Sequence, residues 1–203
     1  MDRKAIKAEA KEKIKGNLWT IWKPILVLAL ISGVLGGIIG AITKDPESAA
    51  ASTLSLVAEL ALMPISVGLV AYMLKFTRGQ KPELNEIFGF YKNFFPILAV
   101  TLLVGFFTGL ATIAFIIPGI IVALMLSMSL YLMADGETDI FGVLKKSKDM
   151  MNGHKWEFFV FQLSFIGWIL LVGITFGIAA IYVIPYMQVA ECIYYDKLKA
   201  LTK

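Results

Sequence analysis

The chain has a single histidine, His154, and Glu157 follows it three residues later in the stretch NGHKWEFFVFQLSFIGW, Asn152 to Trp168. An imidazole beside a carboxylate can take up and release a proton near neutral pH, the one acid–base pairing this spacing offers. It has no obvious partner. There is no His-Glu-x-x-His run, no Gly-x-Ser-x-Gly elbow and no phosphate loop, and Cys192 is the only cysteine. An intramolecular disulfide and a cysteine-rich metal site are excluded, so no catalytic residue, metal or cofactor is assigned and the chain reads as a non-enzyme.

The same residues serve a second purpose better. His154 stands two positions before Trp156, as Asn17 stands two before Trp19. A polar residue at a helix stop followed by an indole suits an entry into a bilayer, because indole has an apolar body and one N–H that stays wet.

Composition supports that reading. Of 203 residues 58% are hydrophobic and 17% charged, with mean hydropathy +0.77, outside the range of a water-soluble domain. Hydropathy marks six spans, at about 22–42, 55–75, 94–109, 111–134, 157–176 and 178–196. Phe94 to Ala134 carries no charge. As one helix it would be about 60 Å long, twice the hydrocarbon core, so it must fold back. Of the 19 lysines and arginines only Lys44 falls in an odd-numbered loop, which places both termini in the cytoplasm under the positive-inside rule. The net charge of +4 is thereby explained by topology, and nucleic acid is not expected as a partner.

Short matches recur between the parts of the chain. GNLW and GHKW precede spans, KPIL and FPIL open them, and EIFG and DIFG lie in the second and fourth loops. The expected fold is an all-α membrane protein with six transmembrane helices, arranged as three pseudo-repeated hairpins (about 22–75, 94–134 and 157–196). Interfacial helices on the cytoplasmic side (1–16 and about 139–152) accompany them. Gly109 and Gly177 are expected at the outer turns, with Pro64, Pro118 and Pro185 inside returning helices. In the loop helix, Ile140, Val143, Leu144, Ser147 and Met151 share one face and Lys145, Lys148 and Asp149 the other, with Asp139 as N-cap. Such a helix should lie among the headgroups, each lysine contributing about 1 kcal/mol of attraction to anionic lipid.

Polar groups inside spans are the remaining candidates. Glu59 is expected at the outer interface, on a helix capped by Asp45, and otherwise in an ion or proton path. Gln162 and Glu191 fall at comparable depth and should hydrogen-bond, with Gln188 nearby. Small residues recur every fourth position through Gly33 and Gly37, with Gly36 and Gly40 alongside. Gly105/Gly109 and Gly173/Gly177 repeat the spacing, and these faces are expected to pack helices, of the same chain in the first place and otherwise of another copy.

The segments LKKSKDMMNGHKWEFFVFQLSFIGW and VIPYMQVAECIYYDKL, with DRKAIKAEAKEKIKGN at the start and IIPGII midway, resemble the bacterial integral-membrane family described as domain of unknown function nine-seven-five. The resemblance covers nearly the whole chain. It implies a multi-pass protein of the bacterial cell membrane and no particular reaction.

The expected function is therefore a scaffold or binding component that recognises lipid headgroups, a membrane partner or a second copy at its cytoplasmic rim. That rim would comprise Trp19, His154, Lys155, Trp156, Tyr194 and Tyr195, with Lys145, Lys146 and Lys148 of the basic helix. The alternative is a transporter or channel opened at the prolines, with a polar cavity reaching Glu59 or Gln188.

Overall fold

A computed structural model describes residues 2–202, and the described residues are helical with no strand. Helix α1 (Arg3–Ile14) starts where the Asp2 carboxylate accepts the backbone N–H groups of Lys4 and Ala5 at 2.9 and 3.3 Å, and a turn at Gly16, φ +80°, ends it. Helices α2 (Leu18–Thr43) and α3 (Ala49–Thr77) form the first hairpin. Ser48, not Asp45, caps α3: its Oγ accepts the Ala51 N–H at 3.1 Å. The Asp45 carboxylate is taken by the Glu47 N–H two residues on, a local turn that delays the helix.

A 3₁₀ helix (Leu84–Asn93) then leads into α4 (Phe94–Ala114), α5 (Ile116–Leu126) and α6 (Ser129–Ala134). The turn of this second hairpin lies at Phe115, not at Gly109. Pro118 decides it. Lacking an N–H, proline is at home in a first helical turn, so the new helix restarts just before it. Gly177 does mark its turn, at φ +91°, beside Phe176 at φ +48°. The remaining helices are α7 (Ile140–Met150), α8 (Lys155–Leu163), α9 (Ile166–Ile174) and α10 (Ala180–Leu201). Pro64 and Pro185 sit inside α3 and α10 as expected.

Among the described residues five stretches are long and apolar enough to cross a membrane: Leu18–Thr43, Ala49–Thr77, Leu84–Ala114, Ile116–Ala134 and Lys155–Ile174. The sixth expected span falls on α10, which is not among them. Gln188, Glu191, Asp196 and Lys197 lie along α10, which packs against α1, α2 and α3. Val183, Tyr186, Val189, Tyr194, Tyr195 and Leu198 are all buried on it.

The core gathers at one end of the molecule, where α1, α8 and α10 meet the second half of α3. Around α10 it is aromatic: Tyr194 lies 4.9 Å from the rings of both Phe158 and Phe161, and Phe165 meets Tyr186 at 5.3 Å. On α1, Ile6, Ala10 and Ile14 are completely buried, about 1.5–3 kcal/mol for each isoleucine. The hairpin tips are bare by contrast, with Ile113 85% and Phe176 98% exposed.

Helix α7 has the face its pattern predicted, with Val143, Ser147 and Met150 buried and Lys145, Lys146, Lys148 and Asp149 exposed. The buried face meets protein, however, rather than lipid. Ser147 Oγ donates to the Met125 carbonyl at 3.0 Å and accepts the Met128 N–H at 3.2 Å, bridging the break between α5 and α6. Helix α1 does the same for the α8–α9 break, where Lys7 Nζ donates to the Ser164 carbonyl at 2.7 Å and to its Oγ at 2.9 Å. Helix interruptions free backbone groups, and α1 and α7 each supply a partner for them.

The glycine stripes are not used as expected. A Cβ built at Gly33, Gly36, Gly37, Gly40, Gly105, Gly109, Gly173 or Gly177 would meet nothing within 4 Å. Among the described residues no other side chain or backbone comes into van der Waals contact with these positions, so the stripes are not close-packed helix contacts. Close approach occurs instead at Gly68, where a Cβ would stand 2.1 Å from the Ile87 carbonyl oxygen, and at Gly119, 2.1 Å from Thr112 Oγ1.

Candidate functional site

Three helix ends are joined by one charged cluster. Arg78 closes α3, Asp135 follows α6, and Asp196 and Lys199 lie on the last turns of α10. The Arg78 guanidinium donates to both oxygens of Asp135 at 2.7 and 3.1 Å and to Asp196 Oδ1 at 2.6 Å. Lys199 Nζ and Tyr195 OH add bonds to Asp135 Oδ2 at 2.5 and 2.8 Å. Burial alone would raise the Asp135 pKa, but donors from Arg78, Lys199 and Tyr195 overcome it and hold the value at about 2. The carboxyl partners in turn raise Arg78, Asp135 first and Asp196 next. With its charges answered from within, the cluster is a joint that positions other groups.

A second polar contact lies beside it. Gln162 Nε2 donates to Glu191 Oε1 at 3.2 Å, the pairing expected from depth, and Tyr131 OH completes it at 2.9 Å to Oε2. Tyr131 also stacks on Tyr195, ring centroids 5.2 Å apart. The sequence signal for Tyr131 was absent, since a tyrosine near a span end reads equally as an interfacial anchor.

The joint fixes α6, and Ser147 fixes α7 against the break above it. On the outer face of α7 Lys145 and Lys148 are exposed and carry no ion pair among the described residues, whereas Lys146 turns to Glu137. Beneath the two free lysines lies a cleft of about 370 Å³ between α4, α5 and α7, walled by Phe107, Val122, Met125, Leu126 and Leu144. That volume is within the range of small-molecule sites. Apolar walls with only positive charge at the mouth suit an amphiphile with an anionic head.

The other predicted rim residues divide. Trp19 and Trp156 are 66% and 73% exposed, as membrane-entry anchors require. His154 Nδ1 and Glu157 Oε2 stand 3.0 Å apart at the start of α8, where a carboxylate also complements the helix dipole. Lys155 is half-buried beside them. Tyr194 and Tyr195 are not rim residues: both are completely buried, because α10 runs through the core. Lys7 is a site residue that sequence reading passed over; burial, then the neighbouring charges of Lys11 and Arg3, lowers its pKa.

Glu59 is exposed on α3, ten residues beyond Ala49. Gln188 Oε1 is buried with no hydrogen-bond partner among the described residues. Neither residue lines the cleft described above, nor those at Lys146/Lys199, Arg78/Asp135, Arg3/Lys7 or Thr101/Ser129.

Residues 1–122 and 110–202 match the family described as Protein of unknown function (DUF975), and the chain belongs to that family. Comparison with curated proteins and with solved structures finds no match.

Proposed function

We propose that this chain is a non-enzymatic, multi-pass protein of the bacterial cell membrane, built as three hairpins with both termini cytoplasmic, and that it binds an anionic phospholipid at α7. The observation that carries the reading is the cleft under Lys145 and Lys148: apolar walls for an acyl chain, two unpaired cations for a headgroup. The topology reading is supported by the joint of Arg78, Asp135 and Asp196, which brings the ends of α3, α6 and α10 together, and by the sequence pattern that leaves Lys44 as the one cation in an odd-numbered loop. Exposed Trp19 and Trp156 support placing the membrane boundary near the starts of α2 and α8. The transporter reading has no comparable support, because no described cleft is lined by Glu59 or Gln188.

The test is the lipid that co-purifies with the protein from bacterial membranes, quantified by mass spectrometry. Removing two lysine charges should cost about 2 kcal/mol, roughly thirtyfold in affinity. The ratio of anionic to zwitterionic lipid should therefore fall in the double variant K145Q/K148Q and hold in K146Q, whose lysine faces Glu137. Equal ratios in all three proteins would reject the lipid reading.

A further inference from the structure

We infer that the third hairpin, α9 with the start of α10, does not cross the bilayer but enters one leaflet and turns back within the hydrocarbon. The argument begins at the charges of α1. Lys11 and Glu12 are exposed on that helix, and a charged pair of this kind belongs in water or among headgroups. Lys11 Nζ lies 5.4 Å from the ring centroid of Trp168 and 5.8 Å from that of Tyr186. Lys7 is fixed one turn lower, on the Ser164 carbonyl. These contacts place the polar boundary at Trp168 on the way in and at Tyr186 on the way out. Trp22, next to Lys23 at the entry of α2, agrees: its indole N–H donates to the Ile181 carbonyl at 2.8 Å.

From Trp168 only Ile169 to Thr175 remain before the turn, about 10 Å of helical rise against a hydrocarbon core of about 30 Å. Tilt cannot lengthen that segment. Even with lysine stems stretched towards the headgroups, Phe176 reaches no further than the middle of the bilayer.

The turn itself is built for a dry environment. Backbone groups in hydrocarbon must find partners within the protein. The N–H groups of Thr175, Phe176, Gly177 and Ile178 donate to the carbonyls of Leu171, Gly173, Val172 and Thr175 at 2.8–3.2 Å. Ala179 N–H is taken by Thr175 Oγ1 at 3.0 Å, and Ala180, Ile181 and Tyr182 find Gly177, Ile178 and Ala179. Every backbone N–H from Thr175 to Tyr182 is thus satisfied without water. No charge stands between Glu157 and Glu191, whereas the tip of the first hairpin carries Lys44, Asp45 and Glu47. An uncharged, internally bonded tip with Phe176 and Ile178 uncovered matches the acyl chains of a single leaflet.

A nitroxide attached at Phe176→Cys tests this in vesicles of phosphatidylethanolamine and phosphatidylglycerol, from its collision rates with oxygen and with nickel-EDDA. The references are Glu47→Cys at the charged turn and Leu30→Cys on the exposed apolar face of α2, and wild type is the blank because Cys192 is buried. At Phe176 oxygen collisions should dominate and nickel collisions should be lost relative to Glu47, as at Leu30. Nickel access equal to that at Glu47 would overturn the inference. Ile178→Cys is read in the same way if Phe176→Cys fails to fold.

Discussion

One carboxylate, Asp135, accepts hydrogen bonds from Arg78, Lys199 and Tyr195, so its loss leaves two cations and a phenol facing one another. Asp135→Asn should lower stability by on the order of 2–3 kcal/mol near neutral pH, measured as thermal unfolding in detergent. The pH dependence has a defined sign. Asp135 holds a pKa of about 2 when folded against 3.8 ordinarily, so the unfolded chain takes up the proton first and stability falls as pH drops through that interval. The gap between wild type and Asp135→Asn should be constant from pH 8 to 5 and narrow between about 4 and 2. A gap that stays constant to pH 2 would remove Asp135 from the joint. At this scale the sequence was partly legible. Gln162 and Glu191 could be paired because depth along two helices is a one-dimensional count. Arg78 and Asp196 stand 118 positions apart in different loops, and hydropathy says nothing about which loop charges meet. Tyr194 and Tyr195 were misjudged for a related reason: a tyrosine at a span end looks the same on a peripheral helix as on a central one.

Elements carry their own test in the glycines. At Gly68 a new Cβ would run into the backbone of Ile87, which cannot rotate away, while at Gly37 it would enter open space. Gly68→Ala should therefore abolish or severely weaken the folded protein. Gly37→Ala should be neutral or stabilising by up to about 1 kcal/mol, since alanine is the better helix former. Size-exclusion profile and unfolding temperature report both; a tolerated Gly68→Ala would contradict the packing of the 3₁₀ helix on α3. Spacing alone pointed to Gly33, Gly37 and Gly105 because small residues every fourth position mark a potential contact face. Whether a partner occupies that face depends on which sides of the helices turn towards one another, which no local pattern encodes. The amphipathic face of α7 was legible, as a 3.6-residue period requires only that one side be covered. That protein and not lipid covers it was not, because Val143 and Met150 suit either.

For the molecule as a whole, composition carried the membrane class, and the lysine distribution is the basis of the proposed sidedness. Length was the weaker guide. Stretches read as continuous spans are broken at Ser127–Met128 and Ser164–Phe165, and the breaks are held by Ser147 and Lys7, residues that no window of hydropathy connects to them. The absence of charge in the last turn fits a tip that never leaves the lipid as well as it fits a crossing. The account rests on the charged joint and the α7 lysines lying on the opposite side of the membrane from the turn at Lys44–Glu47. Labelling cysteines introduced in addition to the buried Cys192, in intact cells with a membrane-impermeant maleimide, tests this directly. Glu47→Cys should react in intact cells and Lys148→Cys only after permeabilisation. Equal labelling of the two in intact cells, or the reverse order, would contradict the placement of the lipid site at the cytoplasmic face.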